Sequence, residues 1–168
     1  MERHPSAQPL AIDAPEFRRI LGHWVTGVAV VAARQGPGPP CGLTANAVAS
    51  LSLDPPLVLV CIDHGADSHD CIRAAGAFSV NVLDAEQERL ARRFAELETG
   101  DKFEGVAYRV GATGSPVLED ALAWVDCRIR ESHDGGDHTI FIGEVVAGDA
   151  REGSPLVFYR GGYGRYAP

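Results

Sequence analysis

Residues 42–63 read GLTANAVASLSLDPPLVLVCID, and this stretch decides what kind of fold the chain can adopt. Its first half is crowded with small side chains: Thr44, Ala45, Asn46, Ala47, Ala49, Ser50 and Ser52. Its second half, Leu57 to Ile62, is an unbroken apolar run. Asp54-Pro55-Pro56 between them is a turn signal. The stretch therefore predicts two strands joined by a turn, the first spanning Cys41 to Ser50. Small side chains let a flat ligand approach the backbone, whose N–H and C=O groups then read its polar edge. Ser50 and Ser52 offer hydroxyls at alternate positions, suited to a phosphate or polyol chain. The same composition equally describes a plain strand packed under a helix.

Strand signals continue on both sides. Val28 to Ala33 and Phe78 to Leu83 read as buried strands, and Gln35 to Pro40 as a Gly/Pro loop. Leu122 to Glu131 alternates apolar and polar positions, and His138 to Gly148 is its return strand across a Gly/Asp-rich loop, Ser132 to Asp137. Leu156 to Tyr159 is read as the last strand, and Thr99 to Pro116 as irregular.

Helices are few. Asp13 caps a first one, with Glu16 three residues on as in a capping box. Phe17, Ile20, Leu21 and Trp24 form an apolar stripe along it, and Thr26-Gly27 is its expected stop. Ser68 is placed to cap a short helix ending at Gly76. Asp84 is placed to cap another, carrying Leu90, Phe94 and Leu97. Strands thus dominate, which predicts a mainly β fold, an antiparallel barrel with peripheral helices, rather than alternating βαβ units. The 168 residues suit one domain, residues 13–168, behind a polar, Pro-rich arm at 1–12.

The bulk numbers exclude several functions. A net charge of −8 argues against binding nucleic acid or an anionic membrane. No apolar run approaches membrane-spanning length and the first residues lack a signal core, so a cytoplasmic protein is expected. None of the four cysteines, Cys41, Cys61, Cys71 and Cys127, forms a C-x-x-C pair, so reduced, buried thiols are expected. Gly36-Pro37-Gly38 sits in the wrong context for a dinucleotide fingerprint, and no P-loop or G-x-S-x-G elbow occurs. His133 and His138 flank Asp134 and Asp137, and His64 lies near His69. Neither spacing places two ligands side by side on one element, so no metal is expected.

The order of the segments resembles the flavin reductase-like family, the FMN-binding split barrel, over residues 16–166. Four segments carry the likeness: FRRILGHWVTGVAVVAA from Phe17, the stretch from Gly42 to Asp63, FSVNVLDAEQERLARRFA from Phe78 with DKF at Asp101, and GDHTIFIGEVV from Gly136 followed by PLVFYRGGY. The match is to the reductase components of two-component flavin monooxygenases. The resemblance implies a homodimer with flavin near the subunit interface. It implies that FMN or FAD is held by Thr44, Ala45, Asn46, Ser50, Leu51 and Ser52, then by Cys61, Ile62, Asp63 and Ser68, with Arg93 and Phe94 on the phosphate side. It places NADH or NADPH by His138, which has the one catalytic role, and by Tyr163. The implied reaction is hydride transfer from nicotinamide C4 to flavin N5, the reduced flavin then diffusing to a monooxygenase. A flavin- or haem-binding barrel without turnover, and a split-barrel oxidase acting on its own substrate, are the alternatives. Many relatives carry Ser where this chain has Ala47, which removes one hydrogen bond worth about 1 kcal/mol.

Overall fold

The computed structural model describes residues 12–96 and 101–167. The first helix, α1, runs Ala14–Leu21. Asp13 Oδ1 accepts from Glu16 N at 2.9 Å, and Pro15 occupies the first turn, where a missing N–H costs nothing. The helix ends at Gly22, short of the expected stop at Thr26-Gly27. The N–H groups of His23 and Trp24 bond three residues back rather than four, so the last turn tightens and closes. Thr26–Gly27 instead form β1.

Next come β2 (Ala29–Arg34), β3 (Pro40–Ala45), β4 (Val48–Leu53), β5 (Pro56–Asp63), α2 (His69–Ala75), β6 (Ala77–Val82) and α3 (Glu88–Ala95). The chain closes with β7 (Tyr108–Val110), β8 (Pro116–Leu118), β9 (Ala123–Gly135), β10 (His138–Ala150), β11 (Leu156–Tyr159) and β12 (Gly162–Arg165). Seven strands form one antiparallel sheet in the order β3-β2-β6-β9-β10-β5-β4. Its two edge strands are consecutive in the chain, with only Asn46 and Ala47 between them. Three residue steps reach at most roughly 11 Å, whereas seven strands laid flat would span roughly 28 Å. The sheet must therefore curl until its edges meet. Cys61 N donates to Ala47 O at 3.0 Å, which carries the β4–β5 ladder up to the junction with β3. The mainly β split barrel follows from this connection.

The β2 side chains alternate between two cores. Val31 and Ala33 face Ile62, Phe78, Val80 and Phe141. Val30 and Ala32 face Leu83, Phe94, Phe103 and Leu156. A strand buried on both faces reads as a continuous apolar run, as Val28 to Ala33 does. On β10, a Cβ at Gly143 would stand 2.6 Å from Phe78 Cζ, so only glycine fits beside that ring.

Several expected boundaries move. Cys41 to Ser50 is not one strand, because the chain breaks at Asn46-Ala47 to turn the seam. Asp84 does not cap α3: Gln87 takes the cap position, and its Oε1 accepts from Asp84 N at 2.8 Å. Leu97 and residues 99–100 lie outside the described residues, as do residues 1–11 of the expected arm. The segment read as irregular contains β7 and ends at the first residue of its partner β8, and the buried Asp126 carboxylate holds the turn between them by accepting from Thr113 N at 2.8 Å. Ser132–Gly135 belong to β9, which leaves a two-residue turn at Gly136-Asp137 with Gly136 at φ +82°. Leu156–Tyr159 is followed by a further strand, β12.

The cysteine expectation fails in part. Cys41, at the start of β3, and Cys71, on α2, form a disulfide across a separation of 30 residues. Chain topology brings them together, and nothing in their local sequence signals it. Cys61 and Cys127 are free. Burial pushes the Cys61 thiol up, and burial with the neighbouring Asp126 charge pushes Cys127 up to about 12.

Candidate functional site

A cleft of about 770 Å³ opens beside the seam. One wall comes from the β3–β4 junction, where Ala45, Asn46, Ala47, Val48 and Ala49 present little beyond backbone. Leu59 and Cys61 of β5 continue it. The opposite wall comes from α1 and the chain after it: Phe17, Leu21, Trp24 and Val25. Thr26 to Ala29 floor the cleft, and Thr26 Oγ1 is a buried hydroxyl with no partner. The volume is that of sites for drug-sized ligands, and the lining is largely apolar.

The helical stripe has an unexpected role. No residue of α1 is buried; Phe17 is 55% exposed, Leu21 49% and Trp24 75%. The periodicity was legible, but it faces the cleft and solvent rather than a core of this chain.

A smaller recess of about 200 Å³ continues along the split, lined by Leu43, Thr44, Asp63, Ala66, Asp67, Phe94, Ala95 and Lys102. Leu43 and Thr44 precede Ala45 on β3, and Asp63 follows Cys61 on β5, so the two spaces lie along the same two strands. This end is knitted by hydrogen bonds. Thr44 Oγ1 donates to Ala91 O at 2.6 Å. Ser68 precedes α2 but does not cap it; its hydroxyl donates to Gly42 O at 2.7 Å. Gly65 N donates to Asp63 Oδ1 at 2.6 Å. The Lys102 ammonium, only 7% exposed, lies 2.9 Å from Asp67 Oδ2. The Cys41–Cys71 disulfide ties the start of β3 to α2.

His138 begins β10 opposite Asp63, with Ile140 opposite Cys61 and Ile142 opposite Leu59. Paired residues share a face, so His138 stands on the cleft side of the sheet, beyond Cys61. Its Nδ1 lies 2.6 Å from Asp137 Oδ1, and the imidazole holds the Asp137 carboxyl below the usual carboxylate range.

The structure thus brings Ala45, Asn46 and Cys61 to the cleft and Thr44, Asp63 and Phe94 to the recess, with Ser68 directly behind. Ile62 points into the core. Ser50, Leu51 and Ser52 run on along β4 past the lining residues, through a bulge between Ser50 and Ser52. Arg93 lines a separate depression on the outer side of α3 and donates to Asp101 O at 3.0 Å. Tyr163, on β12, packs on Phe158 beneath the Arg92 guanidinium, and burial pushes its phenol up. Sequence reading did not single out Lys102, Thr26 or the cleft face of α1. Among the described residues no three His, Cys, Asp or Glu side chains gather as a metal site.

Comparison with known proteins gives a consistent pattern. Residues 21–167 match the family model described as flavin reductase like domain. A flavin reductase from Pseudomonas putida is 42% identical, over 94% of this chain and 92% of its own length. The reductase component of a 4-nitrophenol 4-monooxygenase/4-nitrocatechol 2-monooxygenase from Rhodococcus opacus is 43% identical, over 96% of this chain and 84% of its own. Among solved structures, an NADH:FAD oxidoreductase from Streptomyces globisporus, in complex with NAD and FAD fragments, superposes with a TM-score of 0.87 at 39% identity, covering 93% of this chain and 94% of that one.

Proposed function

Since this chain belongs to the flavin reductase-like domain family, we propose that it is an NAD(P)H-dependent flavin reductase supplying reduced FMN or FAD to a partner monooxygenase. The observation that carries the reading is the cleft at the seam. Its small-residue wall of Ala45, Asn46, Ala47 and Ala49 admits a flat ring system, and its apolar lining suits one. At the far end Lys102 is the buried cation that a phosphate calls for. The residues therefore fit a flavin along the split.

The flavin, when bound, accepts hydride from the nicotinamide cofactor; the protein supplies alignment and electrostatics. Ala45, Asn46 and Ala47 leave backbone groups exposed to a ring edge, where N–H donors stabilise charge gathered on reduction. Ser50, Leu51 and Ser52 continue β4 beyond the cleft lining. Thr44, Asp63, Ser68 and Phe94 shape the phosphate end, while Arg93 lines the separate depression beside α3. His138 orients the nicotinamide, and Tyr163 of the C-terminal strands closes over it. No side chain needs to exchange a proton for the hydride step. Exclusion of water and close alignment of the rings are the protein's main contributions.

The exposed α1 wall supports a homodimer. Phe17, Leu21 and Trp24 leave a large apolar surface that a second copy covers while narrowing the cleft. The relatives named above support NADH as donor and a monooxygenase as recipient; transfer by diffusion of the reduced flavin is part of the proposal. Among the described residues no helix is long and apolar enough to cross a membrane; a single cytoplasmic domain over residues 13–168 completes the proposal.

The test is steady-state oxidation of NADH and NADPH with added FMN and FAD in all four pairings. Turnover with at least one pairing is expected, with flavin lost on dialysis. A colour that survives dialysis without NAD(P)H oxidation would mean a flavin-binding barrel without turnover or an oxidase with its own substrate.

A further inference from the structure

Thr139 follows His138 on β10, and its side chain points to the other face, beside Ile62 and Phe141. It is 2% exposed. Three side chains converge on its hydroxyl: His69 Nε2 at 2.9 Å, His64 Nε2 at 3.1 Å and Arg73 Nη2 at 3.2 Å.

With His69 neutral, donor counting gives a consistent arrangement. Arginine only donates. His69 Nδ1 lies 3.0 Å from Asp70 Oδ1, and a carboxylate only accepts, so Nδ1 carries the proton. Neutral His69 then offers a bare Nε2, which accepts the Thr139 hydroxyl proton. The two lone pairs of Oγ1 receive N–H groups from Arg73 and His64. Every capacity of the hydroxyl is filled. The order carboxylate, imidazole, hydroxyl is also that of nucleophilic hydrolases. Here the hydroxyl is buried and borders neither the cleft nor the recess, so the network holds a position rather than attacking a substrate.

What it holds is the start of β10. The β9–β10 hairpin tip is exposed from Arg130 to Asp137, so its own packing anchors it weakly. The backbone bond from His64 N to Asp137 O, 3.0 Å, adds to the Thr139 cluster from the same loop. The surrounding charges are Asp70 and Arg73 on α2, Asp63 at the end of β5, and Asp137 in the turn.

We infer that Thr139, held by His69, His64 and Arg73, is a positioning residue that aims the His138 imidazole at the nicotinamide. This rests on the proposed role of His138, and the test separates the two. Thr139→Val is expected to raise the KM for the preferred nicotinamide about tenfold, equivalent to ~1.4 kcal/mol. Its kcat at saturating nicotinamide and its flavin Kd stay within about twofold. Thr139→Ser restores the KM. His64→Ala, a change at an exposed residue that spares the fold, raises it about threefold, less than the loss of the whole hub. In a His138→Ala background Thr139→Val adds nothing to the KM, because the two act as one unit. A KM unmoved by Thr139→Val and His64→Ala, while His138→Ala raises it, overturns the inference alone. Additive effects of Thr139→Val and His138→Ala also overturn it. A KM unmoved by His138→Ala removes the proposed role of His138 and the inference with it.

Discussion

The two ends of the split are built on opposite plans. At the recess every polar group named above has a partner within the chain: Thr44 with α3, Ser68 with β3, Lys102 with Asp67. At the cleft the chain leaves apolar α1 side chains in solvent and a buried Thr26 hydroxyl unpaired. One end is preorganised, and the other is completed from outside. The phosphate end of a ligand would meet a fixed shape, while its ring would meet a wall that assembly and binding finish.

The largest effect should come from filling the cleft. Ala45→Trp puts an indole where the wall must be flat, and flavin affinity should fall at least about a hundredfold in a fluorescence titration. That is a loss of about 2.7 kcal/mol, the size of a binding hot spot. Normal binding by this variant would move the ring away from the junction. The disulfide comes next. It closes a loop of 30 residues, so a Cys41→Ser, Cys71→Ser double variant should lose about 3.5 kcal/mol of unfolding free energy in urea. The same loss should appear on adding a dithiol reductant to the wild-type chain. If neither lowers stability, the recess does not depend on that link.

Lys102→Ala should weaken flavin binding about tenfold through loss of one charge-assisted contact. An equal loss of NADH KM and flavin Kd would instead mean that the recess shapes the whole groove. Trp24→Asp should leave the unfolding free energy of the subunit within ~0.5 kcal/mol, because the side chain is 75% exposed. Light scattering should nevertheless show a shift from dimer to monomer. An unchanged mass would assign the α1 face to something other than a second copy. The smallest effect is on thiol labelling. Cys61 borders the cleft with its thiol pushed up by burial, so alkylation at pH 7 should be slow, quicken as pH rises, and slow again with flavin bound. Cys127, pushed up to about 12, should label only on unfolding.

The fold was legible where burial imposes a pattern. Val28 to Ala33 reads as a doubly buried strand because β2 has a core on each face, and the alternation from Leu122 marks β9. The strand break at Asn46-Ala47 was not legible, since Ala and Asn carry no turn signal of their own and the seam's closure imposes it. Asp84 looked like a helix cap, yet Gln87 claims its backbone N–H and delays α3. For the site, the small-residue wall and the His138 position stood out in the sequence. Lys102 did not, because its significance lies in burial beside Asp67, 35 residues away. The Cys41–Cys71 pair was misread for the same reason: only tertiary topology makes the two cysteines neighbours.

The seam has one more consequence. On its outer side β3 has no hydrogen-bonded neighbour, so part of its main chain is left to water. Amides there should trade hydrogen for deuterium quickly in the empty protein and slowly once a ligand lies along the opening. Occupancy could then be followed by mass alone, without colour or turnover, at the one line where this barrel is left unsewn.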